Sequence, residues 1–443
     1  LVRHKGRGAF NAIIHLLGDD HHRHIAAEVL IRIGRPAVKP LIGAVAGGND
    51  PSWWRFYRRI LNLRDRSDTD VYTRARDTLE FIGSPAVPEL ARALKDGDGY
   101  LQSNMLWVLG NIEDPRVVDI LVGALRFPDG KLRPDSLSAL CSTYDPRAVE
   151  LLLTLLGDSR LTMADHIKIV DRLGNIGDER AVEPLIATLQ DREPHVRAAS
   201  ASALGWITDP RAVEALVGAL RDTVPGVRCA AALALVMNDD RRAVEPLLET
   251  LRDQDSEVRA LAAWALGGLP GRRVTDGLIA ALSDSDAYVR EFAAKAFGRR
   301  PARAAVEPLI AALQDSSGNV RQKAAEALCS TDDQRAAEAL ADALENGDMG
   351  LRLRVARAIA ERNNHDPRTV EPLIALLRDP DDYVRTAAAD ALGGVGDARA
   401  IGPLLAVLKD PNEESSYVIS AVSRSLSYLR AVAAVEPLCA VLR

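Results

Sequence analysis

The sequence predicts an all-α solenoid of stacked two-helix repeats, on the strength of a repeat, its capping signals and its apolar periodicity. The segment Ala-Val-Glu-Pro-Leu returns along the chain, whole or nearly so, with its fourth residue at Pro184, Pro246, Pro308, Pro372 and Pro437. Looser copies place Glu89, Ile120, Leu151, Ala215, Gly277, Ala339 and Pro403 in the same slot. From Glu89 to Pro437 the anchors stand 31 residues apart, except for steps of 33, 33 and 34. Earlier copies centre on Ala12 and Pro40. A fixed period of this length marks a repeat architecture, here thirteen to fourteen units in 443 residues. No sustained strand-type alternation interrupts it.

Each unit reads as two helices. The first opens with Asp six residues before the anchor, at Asp114, Asp145, Asp178, Asp209, Asp240, Asp366 and Asp397. Several are followed by proline (Pro115, Pro146, Pro210, Pro367). A short carboxylate at the N-cap accepts orphan N–H groups, and proline at the first helical position has none to lose. The anchor proline then falls one to two turns inside, where loss of a hydrogen bond predicts a bend. The second helix is expected to open at Val-Arg, as in Val196-Arg197, Val227-Arg228, Val258-Arg259, Val289-Arg290, Val320-Arg321 and Val384-Arg385, and to run through an Ala-rich stretch to Leu204, Leu235, Leu266, Leu328 and Leu392. Counting from the Val, positions 0, 4, 7, 8 and often 11 form an apolar, small-residue stripe, the pattern of a helix buried on one face. One helix pair cannot bury such a stripe alone, so stacked neighbours make the core.

These residues resemble the HEAT-like repeats named for the phycobilin-lyase family, most closely from Asp178 to Asp410. The resemblance covers nearly the whole chain. It implies a right-handed α-solenoid of about thirteen to fourteen HEAT-like repeats whose second helices line the inner surface. It also implies a ladder of charge-assisted bonds between units, joining Asp158, Asp191, Asp222, Asp253, Asp284, Asp315, Asp379 and Asp410 to the arginines that open the second helices. A catalytic residue is not needed eight times over, so the pair reads as structural.

The period breaks between Pro40 and Glu89, which predicts one solenoid over residues 1–443 with an extra helix inserted over 48–70. That insertion carries Trp53, Trp54, Arg55, Phe56, Tyr57, Arg58 and Arg59, a secondary candidate for partner contact. Such aromatics also fill irregular gaps with arginines snorkelling over them. A second irregular segment holds His15, Asp19, Asp20, His21, His22, Arg23 and His24. It falls at the turn of the first unit, where a polar end cap is expected, and no metal or other cofactor is assigned.

Composition narrows the functional classes. Lys and Arg number 56 against 62 Asp and Glu, a net charge of −6 that weighs against a dedicated nucleic-acid binder. Cys141, Cys229, Cys329 and Cys439 lie too far apart for a local zinc module and fit a reducing, cytoplasmic setting. No apolar run reaches the ~18 residues of a membrane span. The start at Leu1 suits a fragment or a processed product. Deoxyhypusine hydroxylases are similar in being HEAT-like and hold iron with His-Glu dipeptides, but this chain has none. HEAT-like DNA glycosylases use a basic groove, at odds with the acidic balance. No glycine-rich phosphate loop or Gly-x-Ser-x-Gly elbow is present.

Positions 3, 6 and 10 of each second helix lie off the buried stripe and are expected to face the inner groove. They present Trp206, Leu233, Met237, Leu261, Trp264 and Phe292 as neighbours, followed by Lys295, Arg299, Lys323, Arg354 and Arg357. The reading is a non-enzymatic scaffold whose groove takes a protein or peptide segment with apolar anchors and an acidic flank. Two alternatives come from other classes. One is the target-sensing portion of a larger signalling NTPase; the other is a phycobilin lyase or lyase subunit.

Overall fold

The computed structural model describes residues 13–14, 16–18, 22–46, 68–97, 99–125, 133–143, 145–158, 161–238, 240–362 and 366–429. Among them the chain is an all-α solenoid without strands. The first unit of the molecule, Leu1–Pro184, contains α1 (Arg23–Ile33), α2 (Arg35–Val45), α3 (Asp68–Ile82), α4 (Val87–Asp96), α5 (Gly99–Gly110), α6 (Pro115–Gly123), α7 (Pro134–Ser142), α8 (Pro146–Leu156) and α9 (Met163–Ile176). Helix α10 (Val182–Thr188) spans the division. The second unit, Leu185–Arg443, contains α11 (Pro194–Ile207), α12 (Ala212–Ala219), α13 (Pro225–Asn238), α14 (Val244–Thr250), α15 (Ser256–Leu266), α16 (Arg272–Ala281), α17 (Ala287–Arg299), α18 (Val306–Ala312), α19 (Gly318–Cys329), α20 (Gln334–Asn346), α21 (Met349–Arg362), α22 (Val370–Leu376), α23 (Asp382–Val395), α24 (Ile401–Lys409) and α25 (Ser416–Tyr428).

Capping follows the sequence at the first helices. The side chains of Asp114, Asp145, Asp178, Asp240, Asp366 and Asp397 each accept the N–H two residues on. Pro40 lies inside α2 as expected, but the later anchor prolines behave differently. In six of the described repeats the first helix begins as a 3-10 turn, such as Glu179–Ala181 before α10 or Arg241–Ala243 before α14, and becomes α-helical just ahead of a proline. Pro184, Pro246, Pro308 and Pro372 thus sit in the first turn of the α segment, where an N–H has no partner to lose.

The second helices also open earlier than Val-Arg, two residues before the Val. Asp255, for example, caps α15 by accepting from Glu257 and Val258 N–H. Asp381 does the same for α23 through Tyr383 and Val384. The cap, three residues upstream of the Val, sets the boundary. Gly396, at φ 77°, closes α23 in the left-handed region, where a side chain is strained.

In the second unit, consecutive odd-numbered helices pack directly on one another, while even-numbered helices meet chiefly their odd-numbered partners. The odd layer is the more closely spaced. Val196, Val227, Val258, Val289, Val320 and Val384, with Leu204, Leu235, Leu266, Leu328 and Leu392, are buried in the core. Small residues permit the close approach. A Cβ on Gly205 would lie 2.7 Å from Ala234 Cα, and one on Gly267 would lie 2.7 Å from Ala296 Cβ. Within the first unit Gly110 meets Ala139 in the same register.

Candidate functional site

The expected ladder is present between successive repeats of the second unit. Nε and Nη2 of Arg197, Arg228, Arg259 and Arg290 grip the carboxylates of Asp222, Asp253, Asp284 and Asp315, respectively, at 2.7–2.9 Å. Nη1 of each donates back to the carbonyl of its own repeat's Asp191, Asp222, Asp253 or Asp284. Each arginine therefore pins its own turn to the next one. Arg352 takes Asp379, whereas Arg385 pairs with Glu413 rather than with Asp410, which accepts instead from Asn412. Asp410 and Asp191, both expected on the ladder, depart from it: Glu413 takes the Arg385 guanidinium instead, and the Asp191 carboxylate accepts from Glu193 N–H.

Hydrogen bonds from Arg197 and Arg290 hold the Asp222 and Asp315 carboxyls below the usual range. At Asp253 and Asp284 burial pushes upward most strongly, but hydrogen bonds from arginine and from backbone N–H together outweigh it. A carboxyl whose folded pKa is depressed contributes stability that is full above the ordinary value near ~4 and is lost as pH falls through the lower, folded value. The melting temperature is expected to be flat with respect to these groups from about pH 5 to 7 and to fall steadily below about pH 4. Melts across that range check it; a melting temperature constant down to about pH 2.5 would remove the ladder from the account.

A second set of arginines escaped the sequence reading. Arg147, Arg180, Arg242 and Arg399 each grip their own N-cap Asp and also reach Asp119, Glu150, Glu214 and Glu371 of the preceding repeat. Arg335 does the same with Asp333 and Glu307, and its hydrogen bonds bring the Asp333 carboxyl down to about 2. The recurring Asp-x-Arg spacing was the signal that would have found them.

The odd-numbered helices of the second unit carry the residues expected to face a groove. Trp206 on α11 is 45% exposed, and Leu233 and Met237 on α13 are 38% and 49% exposed. Leu261 and Trp264 on α15 and Phe292 on α17 are half-buried. Arg299 lies over the Trp264 ring at 5.1 Å and donates to the Trp264 carbonyl, and Lys295 lies over Phe292 at 5.2 Å. Both cations are exposed on their outer side. Further along, Lys323 is turned onto both oxygens of the buried Glu326, at 2.8 and 3.0 Å, and Arg354 donates to Gln322 at 3.2 Å. Lys323 and Arg354 are half-buried, whereas Lys295, Arg299 and Arg357 are exposed to solvent. Sequence spacing placed all these residues on one face; it did not show that Lys323 would pair with Glu326.

The remaining candidates are placed as follows. Trp53, Trp54, Arg55, Phe56, Tyr57 and Arg58 and the insertion's expected helix lie outside the described residues, apart from 68–70, which begin α3. Cys229 and Cys329 are buried and Cys141 is partly so; burial pushes their thiols up to about 11, 12 and 11, far from nucleophilic thiolates. Among the described residues no group of three His, Cys, Asp or Glu gathers to hold a metal. No helix among them is long and apolar enough to cross a membrane.

Helix pairs stacked through a repeated inter-unit ladder define the class. The sequence matches HEAT repeats over residues 58–140, 87–163, 166–236, 219–281, 275–360, 343–427 and 370–443, and the chain belongs to the HEAT-repeat family. No curated protein matches it. Among solved structures it is similar to yeast importin-beta (Kap95p), 14% identical with a TM-score of 0.64, covering 99% of this chain and 70% of that one. It is also similar to Kap95p in its complex with RanGDP, 13% identical with a TM-score of 0.61, covering 99% and 69%. Kap121p aligns at 13% identity and a TM-score of 0.57, over 96% of this chain and 57% of that one. At such identities the likeness is one of fold.

Proposed function

We propose that this protein is a non-enzymatic interaction scaffold that binds a protein segment along the inner face of its second unit. The observation that carries the reading is the exposed row of Trp206, Leu233 and Met237 on two adjacent helices. Large apolar side chains clustered in water usually mark a contact surface, and tryptophan is enriched among residues that dominate binding. The exposed cations Lys295, Arg299 and Arg357 along the same layer favour a segment whose apolar anchor is followed by acidic residues. Kap95p, whose fold this chain shares, is solved bound to RanGDP, a precedent for partner binding by such a stack.

The test is affinity capture with mass spectrometry, comparing wild type with Trp206→Ala, followed by titration of the captured partner. Trp206→Ala is expected to weaken binding by ~2–4 kcal/mol with an unchanged melting curve. Lys295→Glu is expected mainly to slow association. A partner retained equally by wild type and both variants, or Trp206 fluorescence resistant to aqueous quenchers in the free protein, would overturn the reading.

A further inference from the structure

Among the described residues of the second unit, the inter-repeat ladder between Arg197 and Arg385 is interrupted at Arg321. Arg321, at the start of α19, occupies the register of Arg197, Arg228, Arg259 and Arg290. Its Nη1 is anchored as theirs are, donating to the carbonyls of Asp315 at 2.7 Å and Ser316 at 3.3 Å. In the four sister positions the remaining edge of the guanidinium grips an aspartate one repeat on. Here that register holds Asn346, whose Nδ2 donates instead to Asp342 at 2.7 Å. Arg321 Nε is left buried with no hydrogen-bond acceptor. A cavity of about 330 Å³ adjoins it, lined by Arg321, Asp342, Asn346, Gly347, Asp348 and Leu351 among others.

An arginine fixed at one edge with its other donors unmatched has the fork geometry that suits a carboxylate. A buried donor without an acceptor also costs free energy that a ligand oxygen would recover. The carboxylates nearby are engaged elsewhere. Asp315 is held by Arg290, Asp342 accepts from Asn346, and Asp348 accepts from Leu351 N–H at 2.7 Å. Their negative charge disfavours a dianion such as phosphate, and the sister sites show that one carboxylate fits this register. We propose that the Arg321 notch takes up a single carboxylate from outside the chain, in the place that Asp222, Asp253, Asp284 and Asp315 fill for the neighbouring arginines. This site is independent of the apolar row around Trp206.

The experiment uses the full chain and sodium acetate as the probe, against sodium chloride at equal ionic strength. Acetate is expected to raise the melting temperature and to shift one arginine Nε–H resonance, identified as the one missing in Arg321→Lys. Asn346→Asp supplies the carboxylate internally; it is expected to raise the melting temperature without acetate and to weaken the acetate response about tenfold, as competition for one site requires. Two short peptides separate the sources of the carboxylate: one with an internal Glu and an amidated end, the other with Gln and a free C-terminus. Whichever peptide reproduces the acetate shift names the source, and a response to acetate alone assigns the notch to small free acids. Equal melting in acetate and chloride with no resonance shift overturns the proposal. So does an acetate response that survives in Arg321→Lys, which decides the matter should Asn346→Asp fail to fold.

Discussion

Replacing Arg259 by alanine is expected to lower stability by about 3 kcal/mol, because it strands a carboxylate rather than merely deleting a contact. The side chains of Arg259 and Asp284 are only 13% and 15% exposed, and the pair is bidentate at 2.8 and 2.9 Å. Arg259 Nη1 also satisfies the Asp253 carbonyl, so the substitution opens its own turn and the next one together. Amide exchange should accelerate in α14–α15 and in α16–α17 alike. In a solenoid, stability is close to a sum of unit and interface terms, so damage at one interface spreads to the neighbours first. Acceleration confined to the repeat that holds Arg259 would contradict an inter-repeat role.

Gly267→Val is expected to cost about 2–3 kcal/mol, the range for inserting methyl groups into a packed interface. The first added carbon alone would stand 2.7 Å from Ala296 Cβ and 2.9 Å from Ala296 Cα, and the nearer backbone atom has no rotamer by which to yield. The φ of −61° at Gly267 is open to any residue, so backbone strain does not enter. Ala296→Gly should restore part of the loss in the double variant, since it removes one of the two atoms in collision. Additive losses in denaturant melts of the single and double variants would show that the close approach of α15 and α17 is not what Gly267 serves.

Much of this architecture was legible in the chain. The 31-residue register of the anchors, the Asp caps and the apolar stripe from Val258 to Leu266 predicted helix pairs with the right faces buried. Helix boundaries were less legible. The second helices begin two residues ahead of their Val because a cap such as Asp255 sets the first turn. From Pro184 to Pro403 the anchor prolines follow a 3-10 start that leaves them in the first α turn, unlike Pro40 inside α2. The outer arginines, Arg147, Arg180, Arg242 and Arg399, were overlooked although their spacing is as regular as that of the inner ones.

By itself the sequence determined the repeat, the residue type at each register position and the side of the helix each would occupy, because these follow from a period of 3.6 residues and from local capping. Tertiary structure decided which polar group meets which. Lys323 paired with Glu326, Arg299 settled on Trp264, Arg385 chose Glu413 over Asp410, and Arg321 found no carboxylate across its seam. The physical reason is that a register fixes directions to within a turn, whereas ion pairs and hydrogen bonds select among partners within an ångström or so, a distance set by how closely neighbouring helices pack.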